Sequence, residues 1–418
     1  MKKNQYRALS VEETDLDSLS QSLPEAVTFG VDVAKKTMFA TLMGPEEQLL
    51  AVLKWDHLSR SRQVVAWLSG LSGVQVALEP SGTYGDALRF HLEASGVAVY
   101  RVNPKQVKDG REIYDGVPSN HDAKSSAIVA WLHQLGRSEP WIVSEERRGL
   151  SAAVSRLSLH DSGFRRAQNR LEAQLSRHWP EVTEYLELDS ATLLELLSRF
   201  GGPEAVAEEM EEAEELMRRV GGSRLSEDKI QVILDSAEET LGVPMIAEEL
   251  EALRDLASEA RHRQKRMKAS KRRLVELVEQ DPVMSRVGSV VGQTTAGVLT
   301  RDLGHLDGYA ATGVLLKAAG MNLKEVSSGR RQGELAITKR GPCRSRQYLY
   351  LAVLRWIQKD PWARAWYEQK VKRDGGRKGK ALVALMRKLL RGLWWVARGE
   401  PFNSEKLFDT RRLTPAAA

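Results

Sequence analysis

Val27-Thr28-Phe29-Gly30-Val31-Asp32-Val33 is an apolar run of strand length with one carboxylate inside it. Its β-branched and aromatic residues, followed by the Ala34-Lys35-Lys36 turn, mark a buried strand. An unpaired carboxylate there is costly to bury, so something must compensate Asp32. Residues 37–43 read as a second strand and residues 48–54 as a third. A helix over 59–69 is expected to begin on a capping serine. Residues 74–79 return as a strand that ends at Glu79, because Pro80-Ser81-Gly82 halts it. A helix over 84–94, a strand over 97–102 and a helix over 121–135 complete the pattern.

Three strands in meander, then helix, strand, helix, strand and helix, is the order of an RNase H-like α/β domain, assigned to residues 27–143. In that fold an aspartate on the first strand and acids from a later strand end and the closing helix hold a divalent cation against a phosphate. Glu79 is the natural second ligand, and Asp122, at the start of the closing helix, the third. Each acid alone could equally be a paired core charge; acids at all three positions of one fold favour the metal. Phosphoryl transfer calls for a hard cation with oxygen ligands, here Mg2+.

The 418 residues make two or three units the expected count. Residues 1–26 turn acidic where a signal peptide would turn apolar, and read as a flexible leader. No apolar run approaches the roughly 20 residues of a membrane span, so a cytoplasmic protein with no membrane partner is expected. The single cysteine, Cys343, excludes a disulfide framework and a cysteine-based zinc site. Residues 144–280 read as helical, with long charged helices over 146–178 and 241–280, and so as a coiled-coil or dimerisation region. Residues 281–400 read as a mostly α-helical C-terminal domain. Two short helices within 287–303, joined by a Gly-containing hairpin, form its helix-hairpin-helix-like element, helices over 310–319, 344–359 and 379–398 follow, and residues 401–418 are a tail. The formal charge of +6 is unevenly placed: the middle is acidic and the C-terminal third basic, which points to a polyanionic partner.

Four stretches carry a family resemblance. Gly30-Val31-Asp32-Val33-Ala34-Lys35, Leu78-Glu79-Pro80-Ser81-Gly82-Thr83-Tyr84, Val102-Asn103-Pro104-Lys105-Gln106-Val107, and Asp122-Ala123-Lys124 leading into Ile128-Val129-Ala130 come in this order. Together they resemble the RuvC-like DEDD domain of the IS one-ten family of insertion-sequence transposases, which includes the Piv-type DNA invertases. Residues 287–303 resemble that family's Gly-x-Gly hairpin, and Gly320-Met321 through Ser327-Ser328-Gly329 to Ile337-Thr338-Lys339-Arg340-Gly341 resembles its second conserved block.

The resemblance implies a DNA transposase or site-specific recombinase. An acid tetrad would hold Mg2+, and a serine of the C-terminal domain would attack DNA and form a covalent intermediate. Carried onto this chain, that serine is Ser328, with Ser327 as the alternative. A structured guide RNA encoded by the element is also implied, as is a homodimer or homotetramer joined through the middle helices. Two positions depart from the family. The fourth acid, three residues after Asp122, is Ser125, which brings no charge to a metal. Glu112 and Asp115 lie upstream as substitutes, and Val290 stands at a usual glycine of the hairpin. Ser125 favours a competing reading, a catalytically weakened or inactive descendant that binds nucleic acid as a regulator. A Holliday-junction nuclease would share the acids but give no reason for the serine block.

The basic stretches read as nucleic-acid surface. Lys324, Arg330, Arg331, Lys339, Arg340, Arg344 and Arg346 surround the serine block, and Lys370, Lys372, Arg373, Arg377, Lys378 and Lys380 are expected to form a Gly-containing loop. Trp362, Trp366 and Tyr367 lie near the second run, where core packing and base stacking compete as explanations.

Overall fold

A computed structural model describes residues 6–328 and 331–413. They form two compact units, one ending at Ser144 and the other beginning at Glu145. The first is a mixed α/β unit and the second is mostly helical.

The first unit is built on a seven-stranded sheet. Its strands are β1 (Ala8–Ser10), β2 (Val27–Asp32), β3 (Thr37–Met43), β4 (Leu49–Asp56), β5 (Val74–Glu79), β6 (Ala98–Val102) and β7 (Ser138–Pro140), in the order β1-β4-β3-β2-β5-β6-β7. β2, β3 and β4 are the antiparallel meander; β5 pairs parallel with β2, and β6 parallel with β5. Side-chain alternation sorts the central strand β2. Phe29 and Val31 face a core shared with Val64 and Leu68 of the His57–Ser69 helix and Leu88 and Leu92 of the Asp86–Ala94 helix. Burying a side chain such as Phe29 completely contributes about 1.5–3 kcal/mol. The opposite face of β2 meets the Asp122–Gln134 helix. Gly30 is required there: a Cβ would sit 2.4 Å from the backbone N of Ala130 and 2.6 Å from the carbonyl O of Ser126. That contact sets the depth of the helix against the strand carrying Asp32.

Residues 6–26 are not a flexible leader. β1 pairs parallel with β4, and a Leu16–Gln21 helix, capped by Asp15, is pinned by a hydrogen bond from Trp67 Nε1 to the Leu16 carbonyl (3.0 Å). The His57–Ser69 helix is capped by Asp56, which accepts from the backbone of Leu58 and Ser59; no serine caps it. A Pro104–Asp115 helix, capped by Asn103, lies where no element was expected.

In the second unit the Glu145–His178 and Ala247–Glu279 helices run antiparallel: His178 Nδ1 donates to the Val243 carbonyl (2.7 Å), and Leu150 and Leu157 share a core with Leu274 and Val278. Apolar residues between 164 and 260 form one core with the short helices inserted between the two long ones. A second core joins the other ends of the pair to the Pro282–Val291, Gln293–Leu303, Cys343–Lys359 and Lys378–Ala397 helices. Phe408 and Leu413 pack on this core, so much of the supposed tail is part of it. The C-terminal region also contains strands. β8 (Leu323–Ser328) and β9 (Arg331–Ile337) form an antiparallel pair that carries the serine block. Among the described residues no helix is long and apolar enough to cross a membrane.

Candidate active site

Asp32 ends β2 and Glu79 ends β5, and the parallel register pairs them directly. Alternation puts Asp32 on the Gly30 face, toward the helix that Asp122 opens. Both strand acids are partly buried, whereas Asp122 is exposed. Burial, and then the charge of Asp122, pushes the Asp32 carboxyl up to about 6, with the Arg111 guanidinium pulling the other way. Burial, and then the charge of Asp32, pushes Glu79 up to about 7, again against Arg111. Crowded carboxylates in a half-dry pocket resist ionisation in this way.

The donor set, three carboxylates with no thiolate or imidazole, suits a hard divalent cation. Among the described residues, however, no three such side chains form a group close enough to hold an ion. Arg111 is the residue that the sequence reading missed. It lies on the unexpected Pro104–Asp115 helix, and its Nε is buried without a hydrogen-bond partner. The signal was Asn103 ahead of Pro104, a capping residue followed by the residue that best starts a helix.

Ser125 lies one turn after Asp122 and is buried. Asp115 is occupied: Lys124 Nζ donates to its Oδ1 at 2.7 Å, Tyr6 Oη to its Oδ2 at 2.9 Å, and the Val117 backbone N–H to Oδ1 at 3.0 Å. Burial would raise Asp115, but these bonds hold its carboxyl below the usual range. Glu112 is exposed. Lys124 is nearly fully buried and also donates to the Val117 carbonyl, so it ties the segment leading into the acid-bearing helix. Next to it, Ser126 Oγ shares a 2.8 Å hydrogen bond with Thr41 Oγ1 of β3.

In the second unit Ser328 is the last residue of β8, paired with Arg331; the side chains of both, and the whole of Arg330, lie outside the described residues. Ser327 is exposed, and its Oγ donates to Glu325 Oε1 (2.6 Å) and accepts from the Gly333 backbone N–H (3.1 Å). Gly333 sits opposite a register shift with φ +71°, a conformation that favours glycine. Lys324, Lys339 and Arg340 are exposed. Arg346 instead braces backbone, donating to the carbonyls of Gly341 (2.8 Å) and Ala319 (3.3 Å), and Arg344 has a buried Nη1 without a partner.

The second basic run is not one loop. Lys370, Lys372 and Arg373 lie on the Pro361–Arg373 helix, and Lys378 and Lys380 open the next helix, with only a short turn through Arg377 between. Lys370 is paired with Asp374, while Lys372, Arg377, Lys378 and Lys380 are exposed. Trp366 packs beside Phe408, and Trp362 and Tyr367 also border the core, which favours the packing explanation for these aromatics.

Comparison with known proteins agrees with this layout. The chain matches the DEDD transposase family of IS110 type over residues 29–180 and the family described as Transposase IS116/IS110/IS902 over residues 288–368. No curated protein matches it. The first match spans the strand and helix ends bearing Asp32, Glu79 and Asp122, and the second spans the serine hairpin. The chain therefore belongs to the IS110 family of insertion-sequence transposases.

Proposed function

We propose that this transposase cuts and rejoins DNA with an RNase H-like acid site and a serine of the β8–β9 hairpin. The observation that carries the reading is the register pairing of Asp32 with Glu79 at the carboxyl ends of adjacent parallel strands, facing the helix that Asp122 opens. The order β4-β3-β2-β5-β6 within the sheet supports the RNase H-like assignment, and the Pro282–Val291 and Gln293–Leu303 helices, joined at Gly292, support a helix-hairpin-helix-like element. Asp32, Glu79 and Asp122 would hold Mg2+. When bound, such an ion neutralises charge on a phosphodiester and activates the attacking oxygen. The chain's own residues position the site: Gly30 sets the helix depth, and Arg111 opposes the repulsion between the acids. Ser328 is the proposed nucleophile, a hydroxyl that needs activation before it attacks. A guide RNA and a homodimer or homotetramer belong to the same reading, on the strength of the family resemblance.

Joining of supercoiled substrate, with magnesium and the element's RNA, tests this function. The unaltered chain is expected to join DNA, and Asp32→Asn to lose activity. Ser125→Asp restores a fourth carboxylate and is expected to tighten magnesium binding about tenfold, since ligand charge count tunes affinity for hard cations. An inert unaltered chain beside an active Ser125→Asp variant would mean that the protein is a binding regulator.

A further inference from the structure

The Ala247–Glu279 helix divides by charge. Its first half carries Glu248, Glu249, Glu251 and Asp255, whereas residues 258–273 hold eight Lys and Arg against the single Glu259. Some of these cations are used internally. Arg261 is bonded to Glu195, Arg263 to Glu259 and Arg273 to Glu276. Arg266, Lys268, Lys271 and Arg272 are exposed and make no ion pair with any described residue. Lys268, Lys271 and Arg272 line one shallow groove with Val275 and Glu276, and Glu276 is already tied to Arg273 at 3.0 Å. On the antiparallel partner helix, Arg156 is likewise exposed and unpaired. His160 beside it is held below its usual range by burial and then by Arg266, Arg156, Arg263 and His262, so the cations of both helices act on one point.

A second copy placed with its own basic half on this surface would be repelled, and an apolar partner would find little to bury. A polyanion with regularly spaced charges fits it. We propose that the basic half of the Ala247–Glu279 helix, extended by Arg156, is a docking surface for the phosphate backbone of duplex DNA, reading no sequence. This rests on the reading that the chain acts on DNA, and it assigns that contact to a region outside both the acid site and the serine hairpin.

The test uses the full chain and a labelled duplex of arbitrary sequence, with binding followed by anisotropy across a range of salt. The quadruple variant Arg266→Gln/Lys268→Gln/Lys271→Gln/Arg272→Gln keeps helix propensity while removing the charge. It is expected to bind at least about tenfold more weakly and to flatten the plot of log affinity against log salt by ~3–4, since each lost phosphate contact removes about 0.9 from the slope. If the quadruple variant melts early, Lys268→Gln and Arg272→Gln singly should each flatten the slope by about 0.9. Unchanged affinity and slope overturn the surface while leaving the transposase reading intact. Loss confined to a structured RNA, or a change of oligomeric state in light scattering with DNA binding preserved, also overturns it. An unaltered chain that binds no duplex at all overturns this surface and the DNA reading together.

Discussion

The buried ammonium of Lys124 pairs with the more exposed carboxylate of Asp115, Nζ to Oδ1 2.7 Å, at the foot of the helix that carries Asp122 and Ser125. The Lys124 side chain is 1 % exposed and that of Asp115 21 %, so removing the Asp115 carboxylate strands the ammonium in a dry site, whereas the carboxylate left by loss of Lys124 still reaches water, Tyr6 and the Val117 N–H. Breaking such a pair from one side typically costs about 3–5 kcal/mol. Asp115→Ala, which strands the buried ammonium, is therefore expected to lower the stability of the first unit by ~3 kcal/mol in urea melts, and Lys124→Met with Asp115→Ala to cost less than the two changes summed. A loss below about 1 kcal/mol for Asp115→Ala would remove the pair from the account. The Asp115 carboxyl is held below its usual range, so its contribution is present above the ordinary carboxylate range and is lost as pH falls through its folded value. Asp115→Asn should blunt that acid lability.

The acids of the site titrate in the opposite sense. Asp32 and Glu79 stand at about 6 and about 7, above their ordinary 3.8 and 4.5, so the folded chain prefers them neutral. Their favourable contribution is full below about pH 4 and is lost as pH rises through the folded values. In the absence of divalent ions, the melting temperature is expected to fall between about pH 5 and 8, and Asp32→Asn to flatten the fall. Magnesium binds the ionised form and stabilises by mass action, so it should raise the melting temperature more at the upper pH than at the lower. An equal magnesium effect at both pH values would disprove the coupling of these carboxylates to the ion.

What the sequence made legible follows from where its signals were local. The periodicity of β2, β3 and β5 was strong, and their bounds fall within a residue of expectation, with Thr37–Met43 and Val74–Glu79 matching outright. Asp32 and Glu79 stood out because a carboxylate in an apolar strand demands a cause. The Ala8–Ser10 strand was illegible: three residues carry no period, and only pairing with Val52-Leu53-Lys54 makes them a strand. The β8–β9 pair was hidden likewise, since its short strands are rich in polar residues and interrupted by Gly333, and carry little period of their own. Lys124 stands in the Asp122-Ala123-Lys124 motif, yet its role is not legible there, because its partner Asp115 becomes a neighbour only through the turn between two helices.

Gly30→Ala tests the close approach of strand and helix. The added methyl would lie 2.4 Å from Ala130 N and 2.6 Å from Ser126 O, both backbone atoms that no rotamer change can move. Overpacking of a dense core typically costs about 1–3 kcal/mol. Because the displaced helix carries Asp122, DNA joining is expected to fall further than stability, with magnesium affinity weakened in titrations of the folded variant. Gly30→Ala with native melting and native joining would show that the helix tolerates a looser seat.

Ser327 and Ser328 are neighbours, and the bonds of Ser327 together with the role proposed for Ser328 predict different phenotypes. Ser327 Oγ is committed to Glu325 Oε1 on its own strand and to the Gly333 N–H, and the second bond fastens the two strands at their register shift. Ser327→Ala removes one side-chain bridge and leaves the Gly333 N–H to water, a loss of about 1 kcal/mol, so DNA joining should fall only a few-fold. Ser328→Ala removes the proposed nucleophile and should abolish the covalent protein–DNA species, with joining reduced by more than ~1,000-fold. Ser328→Cys keeps a nucleophile and separates chemistry from folding: trapped adduct through a thiol would support attack from this position. Denaturing gels of each variant with labelled substrate distinguish the cases. Adduct that persists in Ser328→Ala and vanishes in Ser327→Ala would transfer the role to Ser327 and make its bond to Glu325 part of the chemistry.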